Sequence, residues 1–429
     1  MSIHRVLLCG VLLIACSANI AFGQAARSPF SAFGIGEYYG GATVNQQGMA
    51  GAGIANPQFL FLNNLNPAML VYNGINGITT FQAGILGEKR SIRNASTKDE
   101  SKGGNLNYLL LGFPIKSGRW VTSIGSMPYT TVRYRFSYQE TVGGSGSDLA
   151  NFTETGNGGI NQVAWSNGIK LHDYVSVGAR ASYLYSTIEH SFTNTIQVDT
   201  AQIQYFTPDV HQRFYYRGFA FTGSLAINID SLGRNGKYNL HLGAVYDFKA
   251  DLRTEYQQTL TRLNNAQVVN VDTLVTSSGT TSIPSAMSAG IAFGQRGRWT
   301  LALDGRMTDY SNFGFFQTQQ SPVTTGWKVA AGFELTPNPN SLSNYLKVIT
   351  YRTGVSFEQY PYLINGNALK DFGTNFGLSL PVARGCSVDL SGRWGRRGNI
   401  DTNTIEENYF KIYFGVTFND RWFIKRRFD

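Results

Sequence analysis

Cysteine is almost missing from this chain. Two of its three cysteines, Cys9 and Cys16, lie at the extreme N-terminus, leaving Cys386 alone in the body, so a disulfide framework is excluded. Histidine is equally sparse: His4, His172, His190, His211 and His241 are all there are. No serine is tied to any of them by a G-x-S-x-G pattern, and no His/Cys/carboxylate group has metal-ligand spacing. The Gly48 to Gly53 run lacks the strand–helix setting of a phosphate loop. The reading is therefore no enzyme, no metal and no cofactor. Beyond the leader there is no apolar run of about eighteen residues, so no transmembrane helix is expected. The formal charge of +9 is spread along the chain with no basic tract, which excludes nucleic acid as a partner.

The chain opens Met-Ser-Ile-His-Arg, continues with an apolar run from Val6 to Ala15, and reaches small residues at Ala21-Phe22-Gly23 before Gln24. That is a secretory signal over residues 1–23. Leu13-Ile14-Ala15-Cys16 resembles a lipobox and offers the alternative of a lipid-modified Cys16 at the mature N-terminus.

What the chain has in quantity is alternation. Tyr238, Leu240, Leu242, Ala244, Tyr246, Phe248 and Ala250 share one face of an extended strand; Lys237, Asn239, His241, Gly243, Asp247 and Lys249 share the other. Val175 to Tyr185, Trp299 to Met307 and Phe410 to Phe418 repeat the pattern. Soluble strands usually run about five or six residues. These runs reach the roughly ten that cross a bilayer at a tilt, apolar toward lipid and polar toward a wet interior, the dyad signature of a transmembrane β-barrel. Glycine (48 residues) and aromatics (13%) suit curved walls and interfacial girdles.

Fourteen such strands are expected, near 78–88, 105–115, 119–139, 160–171, 174–189, 213–229, 237–250, 283–294, 298–310, 324–336, 346–360, 370–381, 384–396 and 407–418. Short spacers alternate with long polar segments at 89–104, 140–159, 190–212, 251–282, 311–323 and 397–406. Bacterial barrels have short periplasmic turns and long extracellular loops, which sets the orientation and places both termini in the periplasm of a Gram-negative outer membrane. The fold class is all-β, a fourteen-stranded antiparallel barrel over 78–429. Residues 24–77 do not alternate and are too apolar for a free tail, so they are read as a hatch plugging the lumen.

The hatch carries a resemblance. Ser31-Ala32-Phe33-Gly34-Ile35-Gly36, Gln47-Gly48-Met49-Ala50-Gly51-Ala52-Gly53 and Asn64-Leu65-Asn66-Pro67-Ala68 resemble the N-terminal hatch of the FadL/TodX outer-membrane transport family. Ile283-Pro284-Ser285, Tyr351-Arg352-Thr353-Gly354, Asp371-Phe372-Gly373, Trp394-Gly395-Arg396-Arg397-Gly398 and the ending Arg421 to Asp429 continue it in order, the last as in Bacteroidetes-type members. The resemblance implies passive uptake of hydrophobic small molecules, long-chain fatty acids or similar lipophiles, held in an apolar pocket beside the hatch and released laterally at a kinked strand. The competing expectation is a non-transporting barrel subunit, a scaffold with protein partners in an outer-membrane secretion or assembly complex. Outer-membrane lipid is a partner in either case.

Four groups are singled out. Phe30, Phe33, Phe59 and Phe61 are candidate ligand-binding residues, or else hatch-to-wall packing. Asn66-Pro67-Ala68 is either a cap beside the ligand path or a rigid turn into the first strand. Met127-Pro128 interrupts the third strand and is either a rim bulge or the lateral-gate kink. Arg180, His241, Asp247, Asp304, Arg306, Asp389, Arg393 and Lys411 should face inward and, being buried, be paired.

Overall fold

A computed structural model describes residues 25–142, 148–197, 206–233, 235–264, 267–310, 313–314, 316 and 323–422. The signal expected over residues 1–23, Gln24, most of 311–322 and the ending from Phe423 lie outside the described residues.

The wall is a single antiparallel sheet of fourteen strands. In chain order these are β1 (Thr79–Arg93), β2 (Lys98–Lys116), β3 (Trp120–Pro128 continued by Thr130–Val142), β4 (Asp148–Lys170) and β5 (Val175–Gln197). Next come β6 (Phe206–Leu232), β7 (Tyr238–Asp247 continued by Ala250–Asn264), β8 (Gln267–Ile283 continued by Ala286–Gln295), β9 (Trp299–Thr308) and β10 (Gly326–Leu335). The wall finishes with β11 (Thr350–Ile364), β12 (Asn367–Ala383), β13 (Cys386–Arg397) and β14 (Glu406–Asp420). β14 pairs with β1 from Asp420↔Thr79 to Glu406↔Arg93, closing the barrel and removing the free edges an open sheet would leave. The wall is the fourteen-stranded barrel expected from the alternation.

Side chains on the outer face form an apolar belt, among them Ile124, Trp165, Leu225, Leu303, Phe376 and Ile412, all exposed. Trp120, Tyr174 and Tyr238 ring its short-turn side; Tyr185, Phe219, Tyr246, Trp327 and Trp394 ring the other. Aromatic girdles flanking an apolar band are what a bilayer selects.

The long segments differ from expectation. Residues 140–159, 190–212 and 251–282 are mostly not loops: β3 to β8 rise through them as a continuous ladder, with Tyr138↔Phe152, Phe152↔Asn194, Phe192↔Val210, Leu260↔Val210 and Leu260↔Asp272 in register. This six-stranded panel projects past the belt by about 40 Å along a strand, taking roughly 3.3 Å per residue. The chemistry of its two faces explains the misreading. In the belt, apolar side chains point out; in the panel they point in, as an apolar cluster that includes Val132, Tyr134, Ile188, Phe214, Tyr216 and Tyr256. Arg213–Glu189 and Arg217–Glu255 pairs cover the outside. Two strand boundaries also differ. Phe248 and Lys249 interrupt β7, so Ala250 resumes as a buried inner residue rather than extending the outer row. The eleventh strand begins at Thr350, because residues 345–347 form a single 3-10 turn.

Residues 25–77 fill the lumen. They comprise a 3-10 turn at Pro29–Ala32, a two-residue ribbon Glu37–Tyr38, a short helix Val44–Gln47 closed by a Thr43/Gln46 capping box, and a 3-10 stretch Pro67–Asn76. Close fit depends on glycines of the inner wall. A Cβ on Gly178 would stand 2.3 Å from the Ala68 backbone nitrogen, and one on Gly354 2.5 Å from the Met49 carbonyl carbon. At those two positions no other residue lets hatch backbone lie against wall backbone. Ala25 and Ala26 lie toward the panel side, Ala26 N–H donating to Glu88 Oε1 at 2.7 Å. β14 ends at Asp420 on the short-turn side.

Gly354→Val should displace the Met49 segment while the wall, whose ladder does not use that side chain, stays closed. The expected result is retention of the compact, heat-modifiable band on electrophoresis together with new conductance in planar bilayers. Conductance equal to the parent would contradict the close-fit account.

Candidate functional site

Hatch segment 25–39 lies in a break in the wall. β2 and β3 pair from Lys116↔Trp120 up to Leu109↔Ser126 and then separate. Met127 is buried, its sulfur 3.3 Å from Asn64 Nδ2, and Pro128 is the last paired residue of the lower part of β3. Tyr129 then turns, and the upper part of β3 pairs only with β4 and the hatch among described residues. Met127-Pro128 thus marks a real separation of strands, at the panel-side edge of the belt. The hatch takes the place of the missing neighbour. Glu37↔Thr131 and Tyr38↔Thr130 are in register, Tyr39 N–H donates to the Tyr129 carbonyl at 3.0 Å and Ser28 N–H to the Arg133 carbonyl at 2.8 Å. On the other side Arg27 N–H donates to Ser101 Oγ at 2.7 Å.

The ribbon is held by a buried charge cluster. The Glu37 carboxylate meets Arg397 at 2.9 Å, Arg90 at 3.0 Å and Lys411 at 3.5 Å. Arg90 also meets Glu88 at 2.8 Å and Glu407 at 2.5 Å; Arg397 and Arg393 meet Asp371 at 3.0 and 2.9 Å, and Tyr409 donates to the same carboxylate. Four cations (Arg90, Arg393, Arg397, Lys411) thus face four carboxylates, and only Glu37 comes from the hatch. Without it the wall would keep four cations against three carboxylates, with little water to screen them. Burial alone would push the Glu37 carboxyl up, but Arg397, Arg90 and Lys411 outweigh it and hold the group well below the usual carboxylate range.

Against this cluster, which acts as a latch on the ribbon, lies a cavity of about 200 Å³. Phe30, Tyr38, Tyr129, Tyr310, Tyr360 and Tyr362 give it an aromatic lining, while Glu37, Arg393, Arg397 and Lys411 of the cluster, with Arg306, Lys328 and Glu358, give it charge. It is therefore less apolar than expected. Of the four candidate phenylalanines, Phe30 lines the cavity and Phe33 stacks on Tyr362 with ring centroids 5.5 Å apart. Phe59 and Phe61 lie elsewhere: Phe59 packs on Tyr72 under Arg296, and Phe61 under Arg352. Asn66-Pro67-Ala68 does not itself line the cavity, although its neighbours Leu65 and Ile54 do. Asn66 Oδ1 accepts the Ala68 N–H at 3.0 Å and its Nδ2 donates to the Ile54 carbonyl at 2.8 Å, while Ala68 N–H reaches Ser224 Oγ of β6 at 3.0 Å. That is a turn pinned to the wall.

The inward charges are ion-paired or hydrogen-bonded, except that Asp304 Oδ1 is buried without a partner among the described residues. Asp304 accepts the Gly53 and Ile54 N–H groups at 2.6 and 2.8 Å, Arg180 donates to the Asn64 carbonyl, and His241 meets Asn228 at 2.8 Å. Arg306 pairs with Asp247 at 2.9 Å, and Asp389 accepts from Thr417 at 3.1 Å. Arg393 and Lys411 belong to the latch.

Sequence reasoning missed two parts of the site. One is Glu37 itself, a single acidic residue among aromatics whose partners lie far along the chain. The other is the concave face of the panel, where Tyr138 and Phe152 stack at 4.9 Å and, with Phe192, Val210, Leu260 and Val275, form a row left partly or largely exposed. Continued period-2 alternation through 130–142, 186–197 and 206–217 was the available signal.

A family model described as BamG matches residues 3–429. No curated protein matches the sequence. Among solved structures, the chain is similar in fold to the CymD monoaromatic hydrocarbon channel (15% identity, 89% of this chain and 98% of that one, TM-score 0.54). A Pseudomonas aeruginosa FadL homologue (12%, 88% and 98%, TM-score 0.55) and the P. putida toluene transporter TodX (13%, 88% and 97%, TM-score 0.54) are similar to the same degree.

Removing the Glu37 carboxylate should cost the hatch about 3–5 kcal/mol, as for other buried ion pairs broken from one side. A carboxyl held below its unfolded value stabilises fully above that value, about 4.3, and the contribution is lost as pH falls through the lower folded one. Protection of residues 25–39 from hydrogen exchange, taken relative to the intrinsic rate at each pH, should therefore persist in the parent at pH 5 and fall only in stronger acid. In Glu37→Gln exchange should be fast at neutral pH and show no such acid step. Equal protection in both proteins at pH 7 would refute the latch.

Proposed function

This chain belongs to the BamG family, and from its geometry we propose that it is a hatch-sealed outer-membrane barrel that passes hydrophobic or amphiphilic small molecules. The exposed concave row of the panel captures the compound; the aromatic cavity receives it; the β2–β3 break, once the hatch ribbon moves, releases it sideways at the belt edge. The observation that carries the reading is that break: a wall interruption filled, among described residues, by a hatch strand making ribbon hydrogen bonds. Those bonds can be exchanged without disturbing the rest of the ladder. Fold likeness to channels described as carrying monoaromatic hydrocarbons and toluene supports the reading. The charged rim of the cavity favours a ligand with a polar end over a pure hydrocarbon, so fatty acids or similar lipophiles fit better than toluene. Passage is by passive diffusion down the ligand's own gradient. Long strand ends face outward and short turns face the periplasm.

A second reading has its own support. The same exposed row, carried on a sheet that reaches far past the belt, would serve a protein as readily as a lipophile. On that reading the barrel is a non-transporting scaffold in an outer-membrane secretion or assembly complex.

The two separate on whether the hatch must move. Tyr38→Cys with Thr130→Cys, made in a Cys386→Ser background, places a disulfide across the ribbon register. The expected result is that oxidation abolishes uptake of a fluorescent fatty acid into proteoliposomes and that reduction restores it. Uptake indifferent to oxidation, or absent in both states, would overturn the transport reading.

A further inference from the structure

The turn between β10 and β11, residues 336–349, is far longer than the other turns on its side of the barrel, which span only a few residues. It is ordered. Asn338 N–H donates to the Lys347 carbonyl at 2.7 Å, and Asn344 caps the 3-10 turn Tyr345–Lys347 by accepting the Leu346 N–H at 3.0 Å. It is also turned outward, away from the lumen. Tyr351, which pairs across the outer row with Leu335 and Leu378, donates its hydroxyl to the Leu346 carbonyl at 3.1 Å. Tyr345 donates to the Pro381 carbonyl of β12 at 3.2 Å. The segment therefore lies along the outside of the rim, beneath β11 and β12.

Its composition does not suit water. Leu342 is fully exposed, and Leu346 and Tyr345 are 63% and 52% exposed, next to the exposed Leu335 and Val382 at the lower end of the belt. The turn holds no acidic residue, while Lys347 on it, Arg298 in the adjoining turn and Arg384 in the next supply cations. Arg298 is tied to the turn through the Pro337 carbonyl.

We propose that residues 336–349 form a foot that rests in the headgroup layer of the periplasmic leaflet. Leu342, Tyr345 and Leu346 enter the acyl boundary, and Lys347, Arg298 and Arg384 meet lipid phosphates. Two observations select lipid over a periplasmic protein: Tyr345 and Leu346 are tied to β12 and to Tyr351 at the end of the belt, and the charge of the segment complements anionic phospholipid. The foot would fix the depth and tilt of the barrel at one point of its circumference, on the opposite side of the wall from the β2–β3 break. The inference rests on the membrane-barrel reading but not on transport.

The test attaches bimane at Leu342→Cys or Leu346→Cys in a Cys386→Ser background, in vesicles of phosphatidylethanolamine and phosphatidylglycerol. Phe376→Cys in the outer belt serves as reference. The expected result is quenching of both foot positions by lipids brominated near the headgroup, little quenching by aqueous iodide, and weaker bromolipid quenching when phosphatidylglycerol is replaced by neutral lipid. Iodide quenching at 342 and 346 without bromolipid quenching, with Phe376→Cys quenched by bromolipid, would overturn the foot and leave the membrane barrel intact. Failure at Phe376→Cys as well would overturn both.

Discussion

The contact between hatch and wall is the constraint on which the rest of this molecule depends. A fourteen-stranded barrel encloses more space than its own side chains can fill, and residues 25–77 fill it by laying backbone directly against wall glycines such as Gly178 and Gly354. Shape alone would make a permanent stopper. The buried cluster around Glu37 makes the fit conditional, because the wall supplies every charge of the cluster except one carboxylate. Hatch position and charge balance are therefore one problem: the ribbon cannot leave the β2–β3 break without leaving Arg90, Arg397 and Lys411 under-compensated. Anything that opens the break has to answer those three groups.

Strand count, closure and belt were all legible in the sequence, for one reason. Lipid outside and polar filling inside impose opposite chemistry on successive residues, and Tyr238 to Phe248 records that without help from the rest of the chain. The panel was not legible by the same rule, because its polarity is reversed. In β6 the even-numbered positions face inward throughout. They read Thr222, Ser224 and Asn228 within the belt, but Phe214 and Tyr216 above it, while Arg213 and Arg217 take the outer face. A search for apolar-outward strands stops where water replaces lipid and counts the rest of each strand as loop. The period persists; only its sign changes.

The functional residues divide along the same line. Met127-Pro128 announced the break because proline cannot complete a ladder, and the inward charges from Arg180 to Lys411 were foreseeable from strand parity. Phe59, Phe61 and Asn66-Pro67-Ala68 stood out in sequence, and their contacts, Phe59 with Tyr72, Phe61 with Arg352 and Asn66 with Ala68, lie near the short-turn side. Glu37 did not stand out at all, since its meaning lies in Arg90, Arg397 and Lys411, which only barrel closure brings together. Local pattern reports what each residue faces; it does not report which distant groups face the same point.

The central claim, that the hatch-sealed lumen holds a lipophile in passage, is tested most directly by native mass spectrometry of the protein released gently from its own outer membrane. The account predicts a barrel carrying a small molecule of defined mass, lost on solvent extraction, with no protein in fixed ratio. A barrel free of small molecules and bound one-to-one to another protein would contradict it and establish the scaffold instead.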